Sequence, residues 1–172
     1  MRKYIRNYVE GGTYFFTLVT KSRKPLFQDP ALCELFLTTT EKIKNNHPFT
    51  LDAYCILPDH VHLLVCLPEG VSDYSNIIKE IKRSFTKSIR KHLDQPNFVV
   101  WQDRFWEHTI RDEQDMQTHY DYINYNPVKH GYVDIVDQWA WSSISGELSD
   151  EDIASIPKKL KILNKKGYSF GE

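Results

Sequence analysis

Phe49-Thr50-Leu51-Asp52-Ala53-Tyr54-Cys55-Ile56-Leu57 runs into Pro58-Asp59 and then into His60-Val61-His62-Leu63-Leu64-Val65-Cys66-Leu67. Two runs rich in β-branched, aromatic and aliphatic residues flank a two-residue turn, the pattern of an antiparallel hairpin. Leu63, Leu64 and Val65 are consecutive apolar residues, so the second strand is expected to be central and covered on both faces.

Working outward, Thr13 to Thr20 (TYFFTLVT) follows Gly11-Gly12 and reads as a strand. Pro30 to Asn46 carries Leu32, Leu35, Phe36 and Ile43 at helical spacing, with Asp29 as N-cap and Pro30 at the first helical position. Downstream, Ser75 to His92 is a second helix with Ile77, Ile78, Ile81 and Phe85 turned inward. Asn97 to Ile110 is aromatic and extended, a strand with an irregular end. Asp112 to Asn126 is a third helix, broken by Pro127 and closed near Gly131. The order β-α-β-β-α-β followed by a helix predicts an α+β, ferredoxin-like split βαβ fold. Its antiparallel sheet has two helices on one face and leaves the other for the third helix or for nucleic acid. Residues 1–142 are expected to form the domain. Residues 143–172, with the basic stretch Lys158 to Lys166, are expected to be a tail, into which Trp139 and Trp141 lead.

The chain has 172 residues, 41% of them apolar, enough for one core. No run of about 18 apolar residues is present, which argues against a membrane span. The basic start Met1-Arg2-Lys3 lacks the apolar stretch of a secretory signal. Three cysteines (Cys33, Cys55, Cys66) without CxxC spacing fit reduced thiols and a cytoplasmic protein. Net charge is only −1, but Lys79 to His92 holds six Lys/Arg against one Glu, a local +5, and Lys21 to Lys24 is basic too.

His60 and His62 are two apart on a strand, so both imidazoles face one side and can converge on a divalent ion. On the third helix Tyr122 and Asn126 are one turn apart on one face, a phenol beside an amide oxygen. Periodicity alone does not choose Tyr122 over Tyr120 or Tyr125.

Leu57-Pro58-Asp59-His60-Val61-His62-Leu63-Leu64 resembles the HUH motif (U hydrophobic) of single-tyrosine transposases. The stretch from Asp121 to Gly131 is similar to the tyrosine motif of the REP-associated tyrosine transposases. Two further blocks, Tyr8 to Thr17 and Trp101 to His108, resemble the same family in the same order. The resemblance covers roughly residues 4–142. It implies Tyr122 as nucleophile and His60, His62 and Asn126 as ligands of Mg²⁺ or Mn²⁺. It also implies cutting and rejoining of single-stranded DNA at REP-type hairpins through a 5′-phosphotyrosine, by a monomer or homodimer. Lys21, Arg23, Lys24, Lys79, Lys82, Arg83, Lys87 and Arg90 are the expected phosphate contacts. Trp101, Arg104 and Trp106 are expected to stack on bases, with core packing the alternative for the tryptophans. The competing readings are a non-catalytic nucleic-acid module on the same fold and a histidine-triad hydrolase. The second would need a third histidine where Leu64 stands.

Overall fold

The structure, a computed structural model, describes residues 6–144 and 170–171. The stretch Lys158 to Lys166 lies outside the described residues. The elements run β1 (Thr13–Val19), α1 (Pro30–Lys44), β2 (Thr50–Leu57), β3 (His60–Cys66), α2 (Tyr74–Leu93), β4 (Trp106–Thr109) and α3 (Glu113–Lys129). The sheet order is β2-β3-β1-β4 and every pairing is antiparallel. This is the expected split βαβ arrangement.

The period-2 alternation of β1 divides the core. Tyr14, Phe16 and Leu18 pack with Val61, Leu63 and Val65 against α1 and α2. Phe15 faces the other way, with Leu64, Cys55 and Leu57, towards Tyr122 and Ile123 of α3. β3 is thus buried on both faces, which accounts for its apolar run. Asp59 of the hairpin turn sits directly before the histidine strand, and Leu57 pairs with His60. Asp29 caps α1 by accepting from the Ala31 N–H, as its sequence position predicts.

Two expectations change in detail. The strand expected from Asn97 to Ile110 shrinks to four residues. The segment before it bridges to Thr20 through Trp101, accepts the Lys21 N–H at Val100 O and donates the Gln102 N–H to Val19 O. Next, α3 continues through Pro127 to Lys129. Proline there costs one backbone donor in the last turn. The end of the helix is rebuilt by N–H bonds from His130, Gly131 and Tyr132 to Asn126, Val128 and Pro127 carbonyls, with Gly131 at φ +72. At the junction of the expected domain and tail, Ile56 N–H donates to Trp141 O, Ser143 N–H to Tyr54 O, and the Trp139 indole to Ile56 O, so residues 139–143 lie along the outer edge of β2.

The three cysteines are thiols rather than disulfides, with Cys33 and Cys55 buried. Among the described residues, no helix is long and apolar enough to cross a membrane.

Candidate active site

The register Val19↔His60 and Thr17↔His62 puts both imidazoles on the α3 side of the sheet, essentially inaccessible to solvent. Their ring centroids are 4.9 Å apart. Each ring is oriented by a neighbour on Nδ1. Thr17 Oγ1 spends its only proton on the Phe170 carbonyl (2.7 Å), so toward His62 Nδ1, 2.9 Å away, it can only accept. His62 therefore carries its proton on Nδ1. His60 Nδ1 donates to Asp59 Oδ1 at 2.6 Å. Burial alone would raise the Asp59 carboxyl, but hydrogen bonds from His60 and Arg23 outweigh it and hold it below the usual carboxylate range. As an ionised acceptor it fixes the proton of His60 on Nδ1 as well. With the proton on Nδ1, the neutral form of each ring carries its lone pair on Nε2. This is the arrangement that oriented metal-binding histidines need, and the donor set suits a divalent ion.

Tyr122 is almost fully buried on α3, with its ring 5.4 Å from that of His62. Phe15 supports both rings from the sheet. Lys129 reaches back two helical turns, donates from Nζ to Tyr122 Oη at 3.1 Å, and lies 5.0 Å from the centre of the ring. Reading the residues in order reveals no helper for the phenol, although the i, i+7 spacing on one helix face was the available signal. Phe170 covers the ring face of Tyr122, with centroids 3.6 Å apart and planes within 8°. No sequence pattern pointed to that contact. Asn126, also fully buried, follows one turn after Tyr122. Tyr120 and Tyr125 are only partly buried, packing at the margin of the same cluster. His130, at the end of α3, stands 5.4 Å from the His60 ring.

Among the described residues, His108, Asp115 and His119 form another group whose ligand-type atoms lie within 4.8 Å of one another. The i, i+4 pair Asp115 and His119 was legible on α3, but the contribution of His108 from β4 was not. Asp115 Oδ2 accepts from His108 Nε2 (2.8 Å), from the Arg111 side chain (3.0 Å) and from the Arg111 N–H (3.1 Å). Burial would raise this carboxyl, and those bonds hold it lowered. Burial pushes His119 down to about 4.

The basic residues expected to meet phosphate mostly lie on the other face of the sheet or at its end. Lys79, Arg83, Lys87 and Lys91 are exposed at four-residue intervals along α2. Arg83 pairs with Glu80, Lys82 donates to the Gln102 carbonyl, and Arg90 donates to the Phe98 carbonyl. Arg23 pairs with Asp59, Lys24 lies over the Phe98 ring, and Lys21 stays exposed. Trp101 takes the core alternative: it is wedged among Phe27, Phe36 and Phe85, which leaves no ring face for a base. Arg104 is exposed and Trp106 half-buried.

Residues 8–126 match the family model described as "Transposase IS200 like", a span that includes both histidines, Tyr122 and Asn126. The chain belongs to the IS200-like transposase family. It is 40% identical to a Haemophilus influenzae protein named as a putative REP-associated tyrosine transposase, covering 91% of this chain and 96% of that protein. It is 37% identical to the REP-associated tyrosine transposase of Escherichia coli, covering 87% and 86%. A solved structure of a REP-associated tyrosine transposase bound to a REP hairpin superposes with a TM-score of 0.76 at 37% identity, over 88% of this chain and 90% of that one. Membership of this transposase family makes the chain a DNA-processing enzyme.

Proposed function

We propose that this transposase cuts and rejoins single-stranded DNA at the foot of REP-type hairpins, with Tyr122 as nucleophile and Mg²⁺ or Mn²⁺ held by His60, His62 and Asn126. The observation that carries the reading is the pair of imidazoles held through Nδ1 by Thr17 and Asp59 beside the buried ring of Tyr122. The relatives named above support the hairpin substrate. A bound divalent ion would neutralise a non-bridging phosphate oxygen.

The chain's own residues do the rest. Asp59 and Thr17 hold the two imidazoles in place. Tyr122 loses its phenolic proton to solvent, and the Lys129 ammonium balances the charge left on Oη. The Oη lone pair forms a bond to phosphorus, the bond from phosphorus to the 3′-oxygen breaks, and that oxygen takes up a proton as a 3′-OH. Rejoining runs the same steps backwards, with the phenolate leaving onto Lys129. The cationic stripe of α2 and the basic residues Lys21, Arg23 and Lys24 contact phosphates of the hairpin.

The test is incubation of end-labelled hairpin DNA with the chain and Mn²⁺, followed by peptide mapping of a covalent adduct. An adduct on Tyr122 is expected. Cleavage without an adduct would point to a water nucleophile, and binding without cleavage to a non-catalytic module. A second placement of the metal, at His108, Asp115 and His119, is favoured by the convergence of those donors. Metal titration separates the two, because His60→Ala with His62→Ala should abolish binding at the first site and His108→Ala with His119→Ala at the second.

A further inference from the structure

We propose that the hollow lined by Thr17, Val19, Gln102, Arg104, Phe105, Trp106 and Gly171 is a pocket for one unpaired purine beside the cut phosphate. The proposal rests on the hairpin-cutting reading above and adds which base the site selects. The hollow measures about 310 Å³, enough for one nucleobase. Its position links the two halves of the substrate path. At one end Thr17 holds His62 through Nδ1. At the other, Gln102 also lines a groove of about 750 Å³ that runs beneath α2 with Lys82, Arg83, Lys87 and Arg90. A strand leaving the cationic face of α2 for the imidazoles on the opposite face of the sheet passes this hollow as it rounds the β4 edge.

The lining has the chemistry of base recognition. Trp106 offers an indole against which a planar group can stack. The Gly171 backbone forms one wall of the hollow and rests so close to Trp106 that a Cβ at Gly171 would collide with the side chain, so only a glycine leaves the hollow this shape. Among the described residues, neither the Arg104 guanidinium nor the Gln102 side-chain amide has a hydrogen-bond partner. Arginine pairs bidentately with O6 and N7 of guanine, and glutamine with N6 and N7 of adenine. Both modes use N7, an acceptor that pyrimidines lack on that edge. The pocket therefore selects a purine, held between Trp106 and the Gly171 wall.

The experiment uses the full chain and REP-type hairpins with a short unpaired thymine foot, in which one 2-aminopurine is placed at each position in turn. Fluorescence quenching on binding is expected at one position only, and to disappear in Trp106→Leu. With guanine or adenine at that position, affinity should exceed that for thymine about tenfold. Replacing both readers at once, Arg104→Met with Gln102→Leu, should remove about the same factor, and so should a 7-deazapurine in the original chain. Because the double variant has no donor left for N7, the 7-deaza substitution should cost it nothing further. Equal affinity for purine and pyrimidine, quenching at no single position, or a 7-deaza penalty that persists in full in the double variant would overturn the pocket. Hairpins without a foot report the α2 contacts separately. If the original chain binds neither hairpin nor foot, the hairpin-cutting reading itself falls.

Discussion

Acidification from pH 7 to pH 5 should destabilise the fold through one buried imidazole, His119. Burial pushes its pKa from 6.5 down to about 4. The folded chain thus prefers the neutral ring, while the unfolded chain binds the proton near 6.5. Stability from this group is complete above pH 6.5, is lost as pH falls from there toward 4, and changes no further below that. The groups facing it are Asp115, whose backbone oxygen accepts from Nδ1 at 2.8 Å, and His108, whose ring stacks at 4.5 Å. Arg111 stands on the far side of Asp115. A shift of this size corresponds to about 3 kcal/mol in full, of which about 2 kcal/mol falls between pH 7 and pH 5. Asp115, with a lowered carboxyl, adds its own loss only below about its unfolded value of 3.8. The assay is urea unfolding in the presence of a chelator at pH 7, 6, 5 and 4.5, for the original chain and for His119→Asn. The asparagine keeps a donor near Nδ1 and removes the titration. The variant should start less stable at pH 7 and show a shallower decline, the two curves approaching by about 2 kcal/mol at pH 5. Parallel curves would refute the reasoning.

Tyr122→Phe should remove cleavage and adduct while lowering stability by only about 1 kcal/mol, since it deletes one hydrogen bond from Lys129 and keeps the ring; gel assay and denaturant melts check both. Lys129→Gln should slow cleavage at least about tenfold with hairpin affinity nearly unchanged, measured as single-turnover rate against Kd. Charge reversal of Lys87 and Lys91 should reduce the slope of log affinity against log salt by about 0.9 for each phosphate that is no longer neutralised, and an unchanged slope would leave α2 a solvated face. Phe170→Ala should speed adduct formation by exposing the Tyr122 ring, and a slower reaction would mean that Phe170 helps to hold the phenol in place.

What could be read from the sequence was what repeats locally. Alternation in β1 and β3 set which residues face α3, and the two-residue turn at Pro58-Asp59 set the register that aligns His60 and His62. Helical spacing grouped Tyr122 with Asn126, and resemblance rather than spacing chose Tyr122 among its neighbours. What escaped were contacts between segments distant in the chain. Thr17 is an ordinary strand threonine until β1 pairs with β3 and places it beside His62. Trp101 resembles a nucleic-acid aromatic until Phe27, Phe36 and Phe85 close around it. Pro127 reads as a helix stop, yet the N–H bonds of residues 130–132 let the last turn form beyond it. Phe170 lies 48 positions from the tyrosine it covers, beyond the reach of any local pattern.

The strip of chain laid along β2 also bears on how copies of this transposase can meet. An open strand edge is a template on which a second sheet can grow, in register or as a misfolded stack. Among the described residues, one edge is already occupied where Tyr54 and Ile56 exchange bonds with residues 141–143, and the opposite edge is a strand of only four residues. A two-fold pair built by fusing these two edges has little of that backbone to join. Copies that act together on two DNA ends are then expected to meet through helix or loop surfaces, or through the DNA itself, and edges so closed disfavour stacking into fibres when the chain is crowded.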